Sequence, residues 1–256
     1  AKLLVSADAT RANWVVRVSD VAPDGQVTQV AGAGFNGTHR HSSREPEDVV
    51  PGEIFELDIE MHLTSWVFPA GHRIRVAVTN SMWPMLWPTR EPVTTTLSLG
   101  GENGSVVELP VVPPGGAGTP IFKDPVPGPR LPGYETIDAG NITGYAAITS
   151  IDVDSETGDA FGLATNSGAT KRPWGIERFE EEIEHRTNDG NPADTSVTGS
   201  YKLTQELEDR TLEFEQAVEF RSNYDDFHLT FHRWLLIDGE MYREKTWEES
   251  ISRDFQ

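Results

Sequence analysis

Three serines with a glycine neighbour, Ser105, Ser167 and Ser200, are the first places to look for a nucleophile. Activation of a hydroxyl on an α/β scaffold uses Gly-x-Ser-x-Gly, because a strained strand-to-helix turn lifts the Oγ clear of the sheet. No such pentapeptide occurs in the chain. None of the three serines joins a strand pattern to a helical one, so each reads as a turn serine. Metal chemistry would need imidazoles and carboxylates that converge. His39 and His41, followed by Glu45 and Asp48, share a face if that segment is extended. The spacing fixes no ligand geometry, and a polar loop strand accounts for it better. His228 and His232 lie four apart in an expected strand, which separates their Cα atoms by about 13 Å. That is too far for one small ion, and His185 stands alone. With 41 acidic residues, some carboxylate pair reaches glycosidase separation by chance. The absence of cysteine excludes disulfides, thiol nucleophiles and Cys-ligated metals. No metal, cofactor or catalytic residue is expected.

The feature with most functional promise is apolar. The stretch FPAGHRIRVAVTNSMWPMLWP, residues 68–88, opens as a turn and continues as an alternating strand. His72, Ile74, Val76 and Val78 fall on one face, the period-2 pattern of a half-buried strand. The strand runs into a loop carrying Met82, Trp83, Met85, Leu86 and Trp87, kept out of a central strand by Pro84 and Pro88. Such a loop must bury itself. It could serve as a sugar-stacking platform, as a docking surface for another domain, or as a plug for the core. An apolar patch on an acidic chain favours an interface, and Met82, Trp83, Met85 and Trp87 are its candidate contact residues.

The elements around this loop are strands. Trp14–Ser19 alternates, ends at the turn signal Ala22-Pro-Asp-Gly25, and pairs back with Gln26–Ala31. Glu53–Leu63 alternates with Phe55, Leu57, Ile59 and Met61 inward. Strands at His72–Thr79, Val93–Leu99 and Val106–Val111 complete a set of six or more, the pattern of an all-β sandwich. Residues 112–133 hold seven prolines and five glycines and read as a stiff linker. Beyond it, strands flank turns at Asp154–Gly158, around Asp209 and at Asp238-Gly239. Trp174–His185 reads as a long exposed strand, with Glu180, Glu181, Glu182 and Glu184 on a solvated face. The expected organisation is a jelly-roll sandwich over 1–112, a linker over 113–133, and an antiparallel meander, partly barrel-like, over 134–256.

A net charge of −20 and a pI near 4.6 disfavour nucleic acid and anionic membrane surfaces as partners. No apolar run approaches the ~20 residues of a membrane span, and a soluble, cytoplasmic setting is expected. Lys2-Leu-Leu-Val-Ser reads as a strand already under way, so the chain is expected to be a fragment or a split subunit. Homo-oligomerisation is left open.

Three stretches carry a family resemblance: Trp14–Gly25, Pro51-Gly-Glu53 before its strand, and Phe68–Arg75 followed by Asn80-Ser81 and Trp83-Pro84. Together they resemble the C-terminal jelly-roll domain of X-prolyl dipeptidyl-peptidase and cocaine-esterase type serine hydrolases. The resemblance implies a galactose-binding-like sandwich over about residues 3–112. The closing Trp247-Glu-Glu-Ser-Ile-Ser-Arg-Asp254 is similar to the tail after an extra β-domain in long members. In that family the catalytic triad lies in an upstream α/β-hydrolase domain, and no triad residue maps onto this sequence. The resemblance therefore implies a non-catalytic accessory region whose partner is an α/β-hydrolase domain. In that role it docks, stabilises and shapes the substrate entrance. Two other readings stand beside it: a free-standing carbohydrate- or peptide-binding module, and an enzyme with a carboxylate site in its second half.

Overall fold

The computed structural model describes residues 1–101, 104–113, 115, 121–129, 131–140 and 148–256. The described chain is all-β, with one 3-10 turn at Gly37–His39 as its helical element. The first half holds β1 (Lys2–Ala7), β2 (Asn13–Val21), β3 (Val27–Asn36), β4 (Phe55–Asp58), β5 (Arg73–Thr79) and β6 (Thr95–Leu97). They form two antiparallel sheets, ordered β4-β1-β6 and β3-β2-β5. Leu3, Val5 and Ala7 of β1 meet Trp14 and Val16 of β2 between them, with Leu57 and Ile59 alongside. Alternation dictates this packing, because every second side chain of each strand points into the sandwich. Phe55, Leu57, Ile59 and Met61 face that core as their alternation requires.

Three expected strands are shorter in the structure than in the sequence pattern, Val93–Leu99 being reduced to Thr95–Leu97. β4 covers only Phe55–Asp58, and beyond it Ile59 and Ala1 still exchange backbone hydrogen bonds at 2.7 Å. Val106–Val111 is reduced to a single bridge from Val106 to Lys2. Ile74 and Val76 of β5 were expected on a half-buried face, yet they are 52% and 42% exposed. The facing sheet covers Val78 and stops short of them.

The second half holds β7 (Glu135–Asp138), β8 (Ile148–Val153), β9 (Asp159–Arg172) and β10 (Gly175–Asn188). It continues with β11 (Ser196–Glu206), β12 (Thr211–Ser222), β13 (Asp226–Ile237) and β14 (Glu240–Ser252). They make one antiparallel meander, ordered β14-β13-β12-β11-β10-β9-β7, with β8 also paired to β9. The expected barrel character is absent: β14 ends the order on one side, β7 and β8 on the other. The Asp238-Gly239 turn has φ of 52° and 80°, the left-handed pair that a tight hairpin demands. β10 is the long strand read from Trp174–His185, extended to Asn188. Residues 144–147 of the strand expected before Asp154 lie outside the described residues.

Register sorts the meander into two chemically different faces. One carries Leu203, Phe214, Val218, Leu229, Phe231 and Leu235, all half-buried. The other carries Glu213, Glu215 and Glu219, with Lys202 bridging Glu213 and Glu215. Ser167 and Ser200, read from sequence as turn serines, lie inside β9 and β11. β9 runs through the Ser-Gly pair because Gly168 makes room for a ring across the strands: a Cβ there would stand 2.6 Å from Phe179 Cε1. Ser105 exchanges hydrogen bonds with the backbone of Leu4, which secures the loop before the Val106 bridge.

Candidate functional site

The loop after β5 is fixed at both ends before it reaches the meander. Thr79 Oγ1 donates to Ser81 O, and Asn80 Nδ2 donates to Val93 O at 2.8 Å. The Leu86 N–H closes a turn onto Met82 O. Leu86 then settles on β3 at Gly34, where a Cβ would stand 2.7 Å from its Cδ1. Gly34 is therefore the seat of the loop.

From that seat the two indoles reach the second half of the chain. Trp87 meets Phe220 and Phe227 edge-to-face, with centroids 4.8 and 5.9 Å away. Its N–H donates to Ser222 Oγ at 2.9 Å, and Ser222 Oγ donates to Ala193 O. Trp83 stands edge-on to His185 at 5.9 Å, beside Gly162 on the neighbouring strand. Burial lowers the His185 imidazole below its ordinary value, so it stays neutral at neutral pH. Met82 is half-buried and Met85 is 75% exposed. The four sequence candidates thus divide, with Trp83 and Trp87 engaging this chain's own meander and Met85 facing solvent.

A cleft of about 620 Å³ lies between the halves at this seam. Met82, Trp83 and Trp87 line one wall, Val153 and Pro192 the other, and Arg17 adds a cationic group. The lining mixes these apolar walls with the polar side chains of Asn13, Asn80, Glu91, Thr187 and Asp189.

The tail closes the seam, which sequence reasoning did not foresee. Arg253 is completely buried. Its Nη1 donates to Asn223 O at 2.9 Å and its Nη2 to Pro88 O at 2.7 Å. Burial first, then the neighbouring Arg90 and Arg11 charges, lowers its pKa to about 10, so it remains charged at pH 7. Arg90 Nη2 in turn donates to Arg253 O, and Asn36 Nδ2 to Phe255 O. The signal was on the page in the family-like tail, but nothing in its residue types says that the guanidinium turns inward.

Two histidine–hydroxyl pairs lie on the other face of the meander, His232 with Thr246 Oγ1 at 2.7 Å and His228 with Ser250. Ser250 Oγ lies 2.8 Å from His228 Nδ1, and Asn223 Nδ2 lies 3.0 Å from His228 Nε2. Asn223 Oδ1 accepts from the Asp225 and Asp226 N–H groups, which turns its NH₂ toward the ring. Nε2 must then accept, and Nδ1–H donates to the serine. The imidazole cannot take the serine proton in that arrangement. Asp20, buried, binds His72 Nδ1 at 2.8 Å and the Trp66 indole N–H at 3.0 Å. No hydroxyl meets that imidazole among the described residues, and the pair fastens the loop before β5. His39 ends the 3-10 turn, so His39 and His41 do not share an extended strand face as the sequence allowed.

The described residues thus form a β-sandwich whose aromatic loop and whose meander's tail meet at one seam. Residues 1–107 match the family model of the X-Pro dipeptidyl-peptidase C-terminal non-catalytic domain. That part of the chain is similar to the C-terminal domain of X-Pro dipeptidyl-peptidase and cocaine-esterase type hydrolases. The cocaine esterase of Rhodococcus sp. (strain MB1 Bresler) is 36% identical over 84 residues, covering 33% of this chain and 15% of that protein. "Putative serine esterase Mb1866c" of Mycobacterium bovis is 25% identical over 135 residues, covering 44% of this chain and 21% of that protein. The matched part therefore spans 15% and 21% of the length of these relatives. No helix among the described residues is long and apolar enough to cross a membrane.

Proposed function

We propose that this chain is the accessory region of a serine hydrolase that cleaves esters or amides, and that it docks on the α/β-hydrolase domain. In this reading 1–112 and 134–256 are two structural units joined by the Pro-rich segment 113–133. The observation that carries docking is the uncovered inner face of β5. Ile74 and Val76 point where a sandwich core would continue, and Leu63 and Val67 are exposed nearby in the chain. Apolar side chains left open at the end of a sandwich are suited to a second protein surface. Met85 and Met82 extend the contact surface on the loop, while Trp83 and Trp87 hold the meander where it can narrow the substrate entrance.

The test is a calorimetric titration of this chain into an α/β-hydrolase domain of the family freed of its own C-terminal region. Saturable one-to-one binding is expected, weakened at least roughly tenfold in an Ile74→Asp/Val76→Asp variant. Both positions are exposed, so the variant is expected to fold. Absence of binding, or binding indifferent to the variant, contradicts docking through this face.

A further inference from the structure

The apolar face of the meander ends in a positive spot that the seam does not use. Arg233 of β13 lies directly opposite Lys245 of β14, and Leu235 lies opposite Arg243. Like charges placed across an antiparallel pair repel each other. Arg233, Arg243 and Lys245 form no ion pair with any described residue, in a chain of net charge −20. A register shift between Leu235 and Leu236 sits at this point, so that Tyr242 is the extra residue of a bulge beside Arg243. Bulges re-aim the side chains next to them.

The floor below the cations is aromatic. Phe231 and Trp247 are cross-strand partners with centroids 5.5 Å apart, and Lys245 Nζ lies 4.4 Å from the Trp247 ring centroid. Phe214 and Leu235, paired across β12 and β13, complete the apolar lining. A cavity of about 330 Å³ opens among Phe214, Arg233, Leu235, Arg243, Lys245 and Trp247, with Trp234 at its border. That volume is at the small end of the ~300–1,000 Å³ of small-molecule sites. Glu244 also borders the cavity, but it pairs opposite Trp234, out of phase with Arg243 and Lys245 along its strand.

We propose that this pocket binds a small amphipathic carboxylate, with an aryl or acyl body on Phe214, Leu235 and Trp247 and its carboxylate between Arg233, Arg243 and Lys245. A carboxylate relieves the Arg233–Lys245 repulsion and matches the planar fork of a guanidinium. An uncharged analogue gains only the apolar contact. The inference stands apart from the hydrolase reading, because it uses no residue of the docking face or the seam.

The test is isothermal titration of the full chain with 4-phenylbutyrate and octanoate, beside their primary amides and an acidic peptide. The acids are expected to bind at least roughly tenfold more tightly than the amides, a difference worth one decade in the dissociation constant. Arg233→Gln/Lys245→Gln is expected to remove that preference. Arg178→Gln, on the acidic face and paired with Glu206, is expected to leave it intact. Acid and amide binding equally, neither binding, or only the peptide binding would each overturn the proposal. The peptide-only result would reassign the spot to a protein contact.

Discussion

Replacing Arg253 with alanine is expected to lower the unfolding free energy by about 3–5 kcal/mol, since a buried group's partners lose their donors together. The guanidinium satisfies Pro88 O in the first half and Asn223 O in the second, over the Phe227 ring at 4.9 Å. Those carbonyls would lose their donors together. No carboxylate forms an ion pair with Arg253 among the described residues, so the loss is one of donated hydrogen bonds and packing. Lysine offers a single ammonium in place of a fork and is expected to restore less than half of the loss. Urea unfolding followed by far-UV and tryptophan signals reads both the size of the effect and its distribution. The two probes are expected to separate in the alanine variant as the halves come apart. An alanine variant within about 0.5 kcal/mol of the parent, the range of ordinary surface changes, would show that the tail is not what joins them.

The second large effect is expected at Trp87. Its removal leaves the Phe220–Phe227 pair, stacked at 5.4 Å, without the ring that closes over it. Ser222 also loses the donated indole bond. A half-buried tryptophan in this setting is expected to cost about 3 kcal/mol on truncation to alanine. Trp174, at 51% exposed, is the contrasting site: its truncation is expected to cost less than about 1 kcal/mol. Equal costs at Trp87 and Trp174, measured by the same urea titration, would deny that the loop locks the meander to the sandwich.

The sequence made some of this legible and concealed the rest for physical reasons. Local rules were enough where one residue type decides the backbone, as at Asp238-Gly239 and the Asp154–Gly158 turn. Asp154 Oδ1 there accepts the Glu156 N–H at 2.8 Å. Alternation was enough for Phe55 to Met61 and for the acidic strand β10. It failed where burial depends on what lies opposite. Ile74 and Val76 carry a core pattern, but the facing sheet does not reach them. Ser167 and Ser200 looked like turn serines because a neighbouring glycine suggests a break, yet Gly168 serves the Phe179 ring. The aromatic loop was recognised as an interface, but its immediate partner could not be named. Phe220, Ser222 and Phe227 lie more than a hundred residues away, and pairing at that range leaves no local trace. Arg253 was hidden for the same reason, since its partners are backbone carbonyls, which carry no side-chain signature.

The central proposal is that bond cleavage belongs to the hydrolase domain and not to these sheets. It is tested most directly by steady-state hydrolysis of p-nitrophenyl esters and proline-containing dipeptide anilides by the isolated chain. The account predicts rates equal to the buffer blank for the parent and for His228→Ala alike. Saturable turnover by the parent, abolished in the His228→Ala or Ser250→Ala variant, would contradict it.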